Sequence, residues 1–592
     1  MGVYNLGRIF NPGAIAVIGA SEKAGSVGST LMLNLVRNGF QGELFPVNPR
    51  HRTIHGLKTL PSILTADGGV DLAIIATPIA TVPSIVKECV QKGVKGAIIV
   101  SAGGKEAGTK GREIEAQITK FAREGGLRII GPNCLGIICP QQNLNASFAA
   151  HMPFKGNLAF ISQSGAICSA ILDLSMQEGF GFSHFVSIGS MVDVDFGDLI
   201  DFLGADPQVN SILLYIESLT HVRKFMSAAR AVSRSKPIIV LKSGRSPAGT
   251  KAAASHTGAM AGEDNVYDAA FMRAGIVRVD TIGELFDCAE LMAKQPRPTG
   301  ARLAVITNAG GPGVMAADAL SRYGSEPAEP KPETRKKLDD ILPPLWSRSN
   351  PIDILGDASP QRFADAVRIC VAATEFDGVL VILSPQAMTD PTAVAQMLAS
   401  RFQNKRYPLF TAWMGGMDVA KGKEILNQAG IPTYDTPEDA IRAFFYMVDY
   451  SRNLKILQEI PPKLPRSITF DRHRAREIIG AVLDGERAVL TELESKALLA
   501  SYGLPVNRTE KAVSDQDAVR LANMIGYPLV MKILSPDILH KTDAPEYRLG
   551  HRMLWHLLEF HHMPCGHQLP CEDPAVFHGH RFCAEYPEKG FS

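Results

Sequence analysis

The chain has 592 residues, of which 45% are hydrophobic and 20% are charged, and its formal net charge is +1. This length predicts roughly four domains, each able to bury its own core. The near-zero charge argues against a protein that binds nucleic acid or a membrane surface over its whole length.

The N-terminus has no basic stretch followed by an apolar core, so no secretory signal is predicted. No apolar window reaches the roughly 18 residues that a membrane-spanning helix needs. The nine cysteines are mostly scattered singly, which is typical of reduced thiols rather than of a disulfide framework. We therefore predict a cytoplasmic protein.

Most of the chain repeats one pattern, in which a short β-branched run ends in Gly, Ser or Asn and a helix-like segment follows. Such alternation predicts an α/β fold with mostly parallel sheets. The strand candidates are Ile15–Ile18, Leu44–Val47, Leu72–Ala76, Ala97–Val100 and Arg128–Ile130 in a first block, Leu158–Ile161, Phe185–Ile188, Ile212–Ile216 and Ile238–Leu241 in a second, and Leu303–Thr307, Val379–Leu383 and Leu409–Ala412 in a third.

Two stretches rich in proline, Gln295–Gly300 and Ile460–Pro465, predict linkers. Beyond them, Thr491 and the following Leu and Ala positions predict an N-capped amphipathic helix, and Pro528–Leu534 predicts a strand. After Gly550, the last 42 residues hold seven of the 15 histidines and three of the nine cysteines. They have neither a strand nor a helix period, so we interpret them as an anomalous tail.

A glycine-rich turn, Gly19–Gly28, follows the first strand candidate. Backbone N–H groups in such a turn can bind a phosphate at the N-terminus of the next helix. The spacing is not G-x-G-x-x-G, and the next strand ends in Asn48 and Pro49, where a nicotinamide-dinucleotide site usually has an acidic residue. The turn favours another phosphate-bearing nucleotide, and a purely structural turn remains an alternative.

Three further strand–turn–helix motifs follow. Gly131–Gly136 predicts a ligand-binding loop at the carboxyl edge of a sheet, or a plain Gly-Pro turn with Cys134 as a small buried hydrophobe. Ser162–Ala166 predicts an anion cradle at a helix start, or a simple N-cap. Asn308–Gly313 repeats this pattern, so two helix starts from two domains could face one phosphate.

His256 lies in a loop of small residues, Ala248–Ala261, where it has few bulky neighbours to pack against. Imidazole titrates near neutral pH and can attack phosphorus, so a phosphohistidine is one interpretation and a core histidine the other. Lys532, within the last strand candidate, is either a ligand of nucleotide phosphates or a solvated edge-strand lysine.

Together and in this order, these motifs resemble those of the ADP-forming acyl-CoA synthetases of the acetate–CoA ligase type, relatives of succinyl-CoA ligase. The similar segments are AVIGAS…GSVG, GPNCLG, SQSGA, YIES, KSGRS…ASHTGA, ITNAGGPG, NPIDILG and PLVMKILSPDILHKTD. The resemblance implies an α/β protein with a Rossmann-like CoA-binding domain, two flavodoxin-like CoA-ligase domains and an incomplete ATP-grasp domain. These domains correspond to residues 1–145, 150–294, 300–455 and 487–550, and the tail is 551–592.

The resemblance also implies roles for single residues. His256 is expected to carry the phosphoryl group, Glu217 to orient it, and His540 to relay phosphate as a second histidine. Coenzyme A, ATP or ADP, and Mg²⁺ are the expected cofactors. The cofactor-binding residues are expected to be Gly19, Ser21, Lys23, Ser26, Gly28, Asn48, Pro49, Asn133, Ser162, Ser164, Gly165, Gly310, Gly311, Gly313 and Lys532.

The implied activity is that of an acid–thiol ligase. It makes acyl-CoA reversibly from a small carboxylic acid, CoA and ATP, with ADP and phosphate as products, through an acyl phosphate and a phosphohistidine. The implied partners are these small molecules and a second copy of the chain, with no nucleic acid and no membrane.

The C-terminal part departs from the family pattern. In the family a Gly-Gly-Val-type turn and the rest of the ATP-grasp fold follow HKTD, whereas here Asp543 is followed by Ala544 and Pro545, and no Mg²⁺-binding carboxylates are found. The alternative function is therefore a CoA-binding protein that is catalytically impaired. The tail cysteines lack C-x-x-C spacing, so no metal site is predicted.

Overall fold

The structure is a computed structural model that describes residues 2–249, 251, 263–402, 407–458, 470–527, 529–536 and 581–585. The chain forms two compact units, Met1–Glu459 and Ile460–Ser592. Within the described ranges, no helix is both long and apolar enough to cross a membrane.

The N-terminal segment folds into a parallel sheet covered by helices. Its elements are α1 (Leu6–Phe10), β1 (Ala14–Ile18), α2 (Val27–Arg37), β2 (Glu43–Val47), β3 (Thr53–Ile54), β4 (Leu57–Lys58), β5 (Leu72–Ile75), α3 (Val82–Lys92), β6 (Gly96–Ile99), α4 (Thr109–Gly125) and β7 (Arg128–Ile130). The five predicted strands of the first block correspond to β1, β2, β5, β6 and β7. They pair in the order β2-β1-β5-β6-β7. Every residue of β1, β5 and β6 is buried, which is typical of a parallel sheet with helices on both faces.

A second, seven-stranded sheet follows. Its elements are β8 (Gly136–Cys139), β9 (Leu144–Ser147), β10 (Phe154–Ser162), α5 (Gly165–Glu178), β11 (Gly181–Ser187), α6 (Phe196–Ala205), β12 (Ser211–Ile216), α7 (Val222–Val232), β13 (Ile238–Lys242), α8 (Asp264–Ala274), β14 (Val277–Val279) and α9 (Ile282–Lys294). The strand order is β14-β13-β12-β10-β11-β8-β9. The strands β10 to β13 correspond to the candidates of the second block, with β11 ending one residue before the predicted Ile188. The strands β8, β9 and β14 were not among the sequence predictions.

The strands β8 and β9 join the second sheet although they precede residue 150, where the sequence predicts the second domain to begin. β8 pairs antiparallel with β11, and β9 pairs antiparallel with β8. At the same time, Asn34 of α2 donates hydrogen bonds from Nδ2 to the carbonyl oxygens of Ser147 and Ala149, both at 2.8 Å. The segment therefore connects the first two sheets through main-chain pairing on one side and a side-chain amide on the other.

A third sheet has five parallel strands. Its elements are β15 (Leu303–Thr307), α10 (Gly310–Arg322), α11 (Pro332–Asp339), β16 (Ile352–Asp353), α12 (Pro360–Ala372), β17 (Gly378–Leu383), α13 (Pro391–Arg401), β18 (Leu409–Trp413), α14 (Met417–Gln428), β19 (Thr433–Tyr434) and α15 (Pro437–Gln458). The order is β16-β15-β17-β18-β19. The three predicted strands of this block are confirmed as β15, β17 and β18.

The long helix α15 packs against both the second and the third sheet. The ring of Phe444 stacks on that of Phe410 in the third sheet, with 5.5 Å between ring centroids. One turn and a half later, the Tyr450 hydroxyl donates to the carbonyl oxygen of Ser233 at 2.8 Å. Because one rigid helix contributes buried side chains to two cores, it ties the two sheets together.

The second unit contains α16 (Arg472–Asp484), α17 (Glu492–Ser501), β20 (Thr509–Ala512), α18 (Asp515–Ile525), β21 (Val530–Leu534) and β22 (Arg581–Glu585). The predicted N-capped helix is confirmed as α17, where Thr491 and Glu494 form a capping box. The three strands pair antiparallel in the order β20-β22-β21, so the segment interpreted as an anomalous tail contributes the central strand. The second predicted linker lies outside the described residues.

Candidate active site

The predicted glycine turn connects β1 to α2, and two of its glycines are required by close backbone contacts. Gly19 has φ +90°, and a Cβ at this position would be 2.6 Å from the carbonyl oxygen of Ala76. A Cβ on Gly28 would be 2.0 Å from the carbonyl oxygen of Gly19. Both distances exclude a larger residue, so α2 begins directly against the turn at the carboxyl edge of the first sheet.

The polar residues of this turn form a hydrogen-bonded network. Ser26 caps α2 by accepting from the N–H of Ser29 at 3.3 Å and donates to the carbonyl oxygen of Lys23 at 2.8 Å. The hydroxyl of Ser21 accepts from the N–H of Lys23 at 3.0 Å. Asn48, at the end of the neighbouring strand, donates from Nδ2 to the carbonyl oxygen of Ala20 at 2.8 Å. Asn48 therefore holds the turn in place, a role that an acidic residue without N–H donors could not have.

A cavity of about 880 Å³ lies between the first two sheets. From the first sheet it is lined by Val27 at the start of α2 and by Thr77, Ser101 and Lys105, which follow β5 and β6. Four of the predicted site residues also line it, and they are Asn133, Ser164, Gly165 and Glu217. The carboxyl ends of the parallel strands of both sheets thus face one space, which is where open α/β sheets bind ligands.

Backbone contacts fix the two walls of this cavity relative to each other. The N–H of Ser190 donates to the carbonyl oxygen of Pro132 at 2.8 Å, and Asn133 N donates to that of Ser101 at 3.0 Å. A Cβ on Gly189 would be 2.2 Å from the Pro132 carbonyl oxygen. Lys105 donates from Nζ to the carbonyl oxygen of Ser190 at 3.0 Å. Asn133 itself has φ +56° and an exposed side chain that faces the space.

The start of α5 forms part of the second wall. Ser164 is its N-cap and accepts from the N–H of Ile167 at 3.4 Å, so the predicted N-cap is present. Ser162 is fully buried, and its hydroxyl binds the backbone of Ser164 twice, at 2.9 and 3.0 Å. Ser162 therefore shapes the turn, whereas Ser164 and Gly165 line the cavity. A 14-residue helix pointing its N-terminus at a cavity favours an anionic ligand there.

Glu217 follows β12 and reaches the same cavity. Beside it lies Gln163, whose role the sequence did not indicate because its hydrogen-bond partners are distant along the chain. The Oε1 atom of Gln163 accepts hydrogen bonds from the backbone N–H groups of Glu217 and Ser218, at 2.5 and 2.9 Å. Thus a side chain at the α5 start holds the backbone that carries the predicted orienting acid.

Three buried titratable groups in and near the second sheet have shifted pKa values, and one of them, Cys134, lines the cavity. Burial raises the pKa of Cys134 to about 12, and the same cause raises the pKa of Cys168 to about 12. Both thiols are therefore protonated at neutral pH, in agreement with the interpretation of Cys134 as a small hydrophobe. Burial also lowers the pKa of Lys242, whose Nζ lies 4.6 Å from the ring centroid of Tyr267.

The third sheet repeats the local geometry of the second. Thr307 donates its hydroxyl to the carbonyl oxygen of Ala309 at 2.9 Å and accepts from its N–H at 3.1 Å, as Ser162 does with Ser164. The predicted residues Gly310, Gly311 and Gly313 then begin α10. None of them is among the described residues that line the cavity, so the facing of two helix starts remains a prediction.

The remaining predicted residues have other surroundings. His256 and His540 lie outside the described residues. Lys532 lies in the second unit, on β21, and donates from Nζ to Glu492 Oε1 at 3.0 Å. Pro49 and Lys23 are exposed beside the glycine turn. In the described ranges, no three His, Cys, Asp or Glu side chains cluster in a way that suits a metal ion.

Family models match four consecutive segments of the chain. They are a CoA binding domain at 13–140, a succinyl-CoA ligase like flavodoxin domain at 155–292, a ligase-CoA domain at 303–451 and an ATP-grasp domain at 481–550. An ADP-forming acetate–CoA ligase of Archaeoglobus fulgidus is 40% identical over 92% of this chain and 77% of its own length. The chain belongs to the ADP-forming acyl-CoA ligases.

Other members of the family show the same similarity. A 4-hydroxybutyrate–CoA ligase of Nitrosopumilus maritimus is 36% identical over 90% of this chain and 76% of its own. The solved dinucleotide-forming acetyl-coenzyme A synthetase 1 of Candidatus Korarchaeum cryptofilum, in complex with phosphate and ADP, is 35% identical. It covers 76% of this chain and 98% of its own, with a TM-score of 0.73. The predicted fold class is confirmed, and membership supports a ligase over an impaired CoA-binding protein.

Proposed function

We propose that this chain is an acid–thiol ligase that joins a small carboxylic acid to coenzyme A and converts ATP to ADP and phosphate. The observation that carries the proposal is the cavity in which the edge of the CoA-binding sheet meets the α5 start and Glu217. In a member of the ADP-forming acyl-CoA ligases, the thiol of CoA bound at the first sheet can reach this cavity. A phosphoryl group at the start of α5 can reach it from the second sheet.

Coenzyme A is proposed to bind the first sheet. Its phosphates would accept hydrogen bonds at the turn from Ser21 to Gly28, beside Asn48 and Pro49, because the N–H groups at the start of α2 have no partners within the helix. Val27, in this turn, also lines the cavity, so a ligand held by its phosphates there can extend its thiol end inward.

The phosphoryl group is proposed to move through His256. The imidazole of His540 attacks the terminal phosphorus of ATP and ADP leaves, and the imidazole of His256 then takes the phosphoryl group from His540. A carboxylate oxygen of the acid attacks the same phosphorus and releases the His256 imidazole as an acyl phosphate forms. The CoA thiolate attacks the acyl carbon and phosphate leaves. Glu217 would orient the imidazole, and Ser164 and Gly165 at the α5 start would stabilise the phosphoryl charge, since each step depends on positioning and charge neutralisation.

The nucleotide is proposed to bind the second unit. Lys532 would neutralise nucleotide phosphates and His540 would relay the phosphoryl group, as the resemblance implies, and the ATP-grasp match over 481–550 supports this. Mg²⁺ remains an expectation of the resemblance, because the described residues offer no ligand cluster for it, and no step above uses it. We also propose that the protein is cytoplasmic and forms a homo-oligomer. The free cysteines that the structure describes are buried, which is compatible with a reducing compartment.

The test is direct synthesis. Purified protein with acetate or 4-hydroxybutyrate, CoA and Mg²⁺-ATP is expected to form acyl-CoA and ADP in equal amounts, and acyl-CoA with ADP and phosphate is expected to form ATP. Terminally labelled ATP is expected to label His256, and the label at this position is expected to be lost in His256→Ala. His473→Ala is the matched control, because His473 is 87% exposed and pairs with Glu477 on a surface helix. A protein that binds CoA but forms neither product nor label would favour the CoA-binding alternative.

A further inference from the structure

Gln163 lies where the two elements that form the second wall of the cavity come together. It stands between Ser162, the last residue of β10, and Ser164, the N-cap of α5. The strands β10 and β12 are parallel neighbours, with Ser162 opposite Tyr215, and the N–H of Gln163 donates to the Tyr215 carbonyl oxygen at 3.3 Å. Main-chain pairing therefore brings Gln163 next to the residues that follow Tyr215.

The side chain of Gln163 then adds two hydrogen bonds to this contact. Its Oε1 accepts from the backbone N–H of Glu217 at 2.5 Å and from that of Ser218 at 2.9 Å. An amide carbonyl oxygen has two lone pairs, and both are used here. These bonds also fix the orientation of the amide, because a flipped amide would place its own donors against two N–H donors.

The other end of the amide has a weaker contact. Among the described residues, the partner of Gln163 Nε2 is the thioether sulfur of Met191 at 4.0 Å, and a thioether is a weak acceptor. The strong hydrogen bonds of the Gln163 side chain are thus those to the Glu217 and Ser218 backbone.

We propose that Gln163 is a positioning residue of the ligase reaction. By holding the N–H groups of Glu217 and Ser218, it fixes the direction in which the Glu217 carboxylate enters the cavity relative to the start of α5. This inference rests on the proposed function, in which Glu217 orients the group that carries phosphate. A misplacement of about 1 Å in such a group lowers a rate up to about a hundredfold.

The test is a double-mutant cycle of Gln163→Met and Glu217→Gln. Methionine keeps the length of the side chain and removes the acceptor. Gln163→Met alone is expected to lower kcat at least about tenfold, whereas in the Glu217→Gln background it changes kcat less than about twofold, because residues that act through one another are not additive. Equal losses of kcat in both backgrounds would mean a general structural role and would overturn the proposal.

Hydrogen exchange gives a second readout that does not depend on activity. The amides of Glu217 and Ser218 are expected to exchange faster in Gln163→Met than in the wild type, and to stay slow in Gln163→Glu, which keeps an acceptor oxygen. Gln141→Met is the matched control, since Gln141 donates from Nε2 to the Gly156 carbonyl oxygen at 3.3 Å and does not line the cavity. Unchanged exchange in Gln163→Met would show that the side chain does not hold this backbone.

The two readouts separate this inference from the function on which it rests. A wild-type protein that makes no acyl-CoA would refute the proposed function, and exchange alone would then decide whether Gln163 holds the Glu217 backbone. If the wild type is active and Gln163→Met lowers kcat equally with and without Glu217→Gln, the positioning role of Gln163 is refuted. The ligase assignment would remain intact. If Gln163→Met does not fold, Gln163→Glu carries the exchange test, and fast exchange at Glu217 in that variant would overturn the proposal.

Discussion

Gly28 of α2 lies so close to Gly19 in the preceding turn that a Cβ on Gly28 would be 2.0 Å from the Gly19 carbonyl oxygen. The start of α2 can therefore lie directly over the carboxyl edge of β1, and its free N–H groups are held at the place proposed for the CoA phosphates. Because the obstructing atom belongs to the backbone, it cannot rotate away as a flexible side chain could.

This contact predicts that a single methyl group added at Gly28 lowers the stability of the protein. Gly28→Ala is expected to destabilise the protein by about 2 kcal/mol, the range of core overpacking, and to weaken CoA binding. Gly311→Ala is the matched control for stability, because Gly311 is also the second residue of a helix, α10, and its Cβ would meet nothing within 4 Å. Thermal melts of both variants provide the comparison, and equal melting temperatures would contradict the close contact.

A buried ion pair between the first two sheets predicts a second large effect. Arg128 of β7 is 1% exposed and binds Asp193 at 2.8 Å and Asp198 at 3.0 Å. Arg128→Met leaves two carboxylates without this cation, so we expect a loss of about 3 kcal/mol in the free energy of unfolding. Arg8→Met, which removes a 62%-exposed arginine 3.6 Å from Asp71, is expected to change it by less than about 1 kcal/mol. Urea denaturation of both variants tests the difference.

The contact between α9 and α15 predicts a pH dependence of stability. Burial, followed by repulsion from Asp439, raises the pKa of Asp287 to about 7, although Arg442 opposes this shift. A raised pKa in the folded state contributes stability below about pH 4 that is lost as the pH rises through 7, because the unfolded chain gives up its proton first.

Asp287→Asn replaces the protonated acid with a neutral group of similar shape. The variant is expected to melt a few degrees above the wild type at pH 8, with the difference vanishing towards pH 4. Asp318→Asn, at an exposed position of α10, provides the control. It is expected to leave the melting temperature unchanged at both pH 8 and pH 4. A wild type that melts at a higher temperature than Asp287→Asn at pH 8 would show that Asp287 is ionised and well paired.

The buried cysteines predict low thiol reactivity. The described free cysteines Cys89, Cys134, Cys139, Cys168, Cys288 and Cys370 are all buried, and burial raises the pKa of each. Iodoacetamide at pH 8 is expected to leave them unmodified in the folded protein and to modify them in urea, as peptide mass spectrometry can measure. Rapid labelling of Cys134 in the folded state would contradict the burial of that thiol.

The strands show which elements could be predicted from the local sequence and which could not. Continuous apolar runs such as Leu72–Ala76 and Val379–Leu383 predicted β5 and β17 because a strand of a covered parallel sheet is buried on both faces. The antiparallel pair β8 and β9 was not predicted, since its short strands become strands only through their pairing with β11. Edge strands such as β16 and β19, of two residues each, are too short to have a period.

The residues of the candidate site also differ in whether the local sequence could predict them. The turn glycines and the N-cap Ser164 could be predicted because a turn or a cap is decided by residues a few positions apart. The role of Gln163 could not be predicted, because its hydrogen-bond partners Glu217 and Ser218 lie 54 and 55 positions further along the chain.

The sequence by itself determined the order of strand, turn and helix and the family to which the chain belongs, since both depend on local motifs and their order. Only the tertiary structure decided which of these motifs share a cavity. It brought Asn133, Ser164 and Glu217 around one space and left Gly310 outside the residues that line it, because strand pairing between distant segments sets which sheet edges face each other.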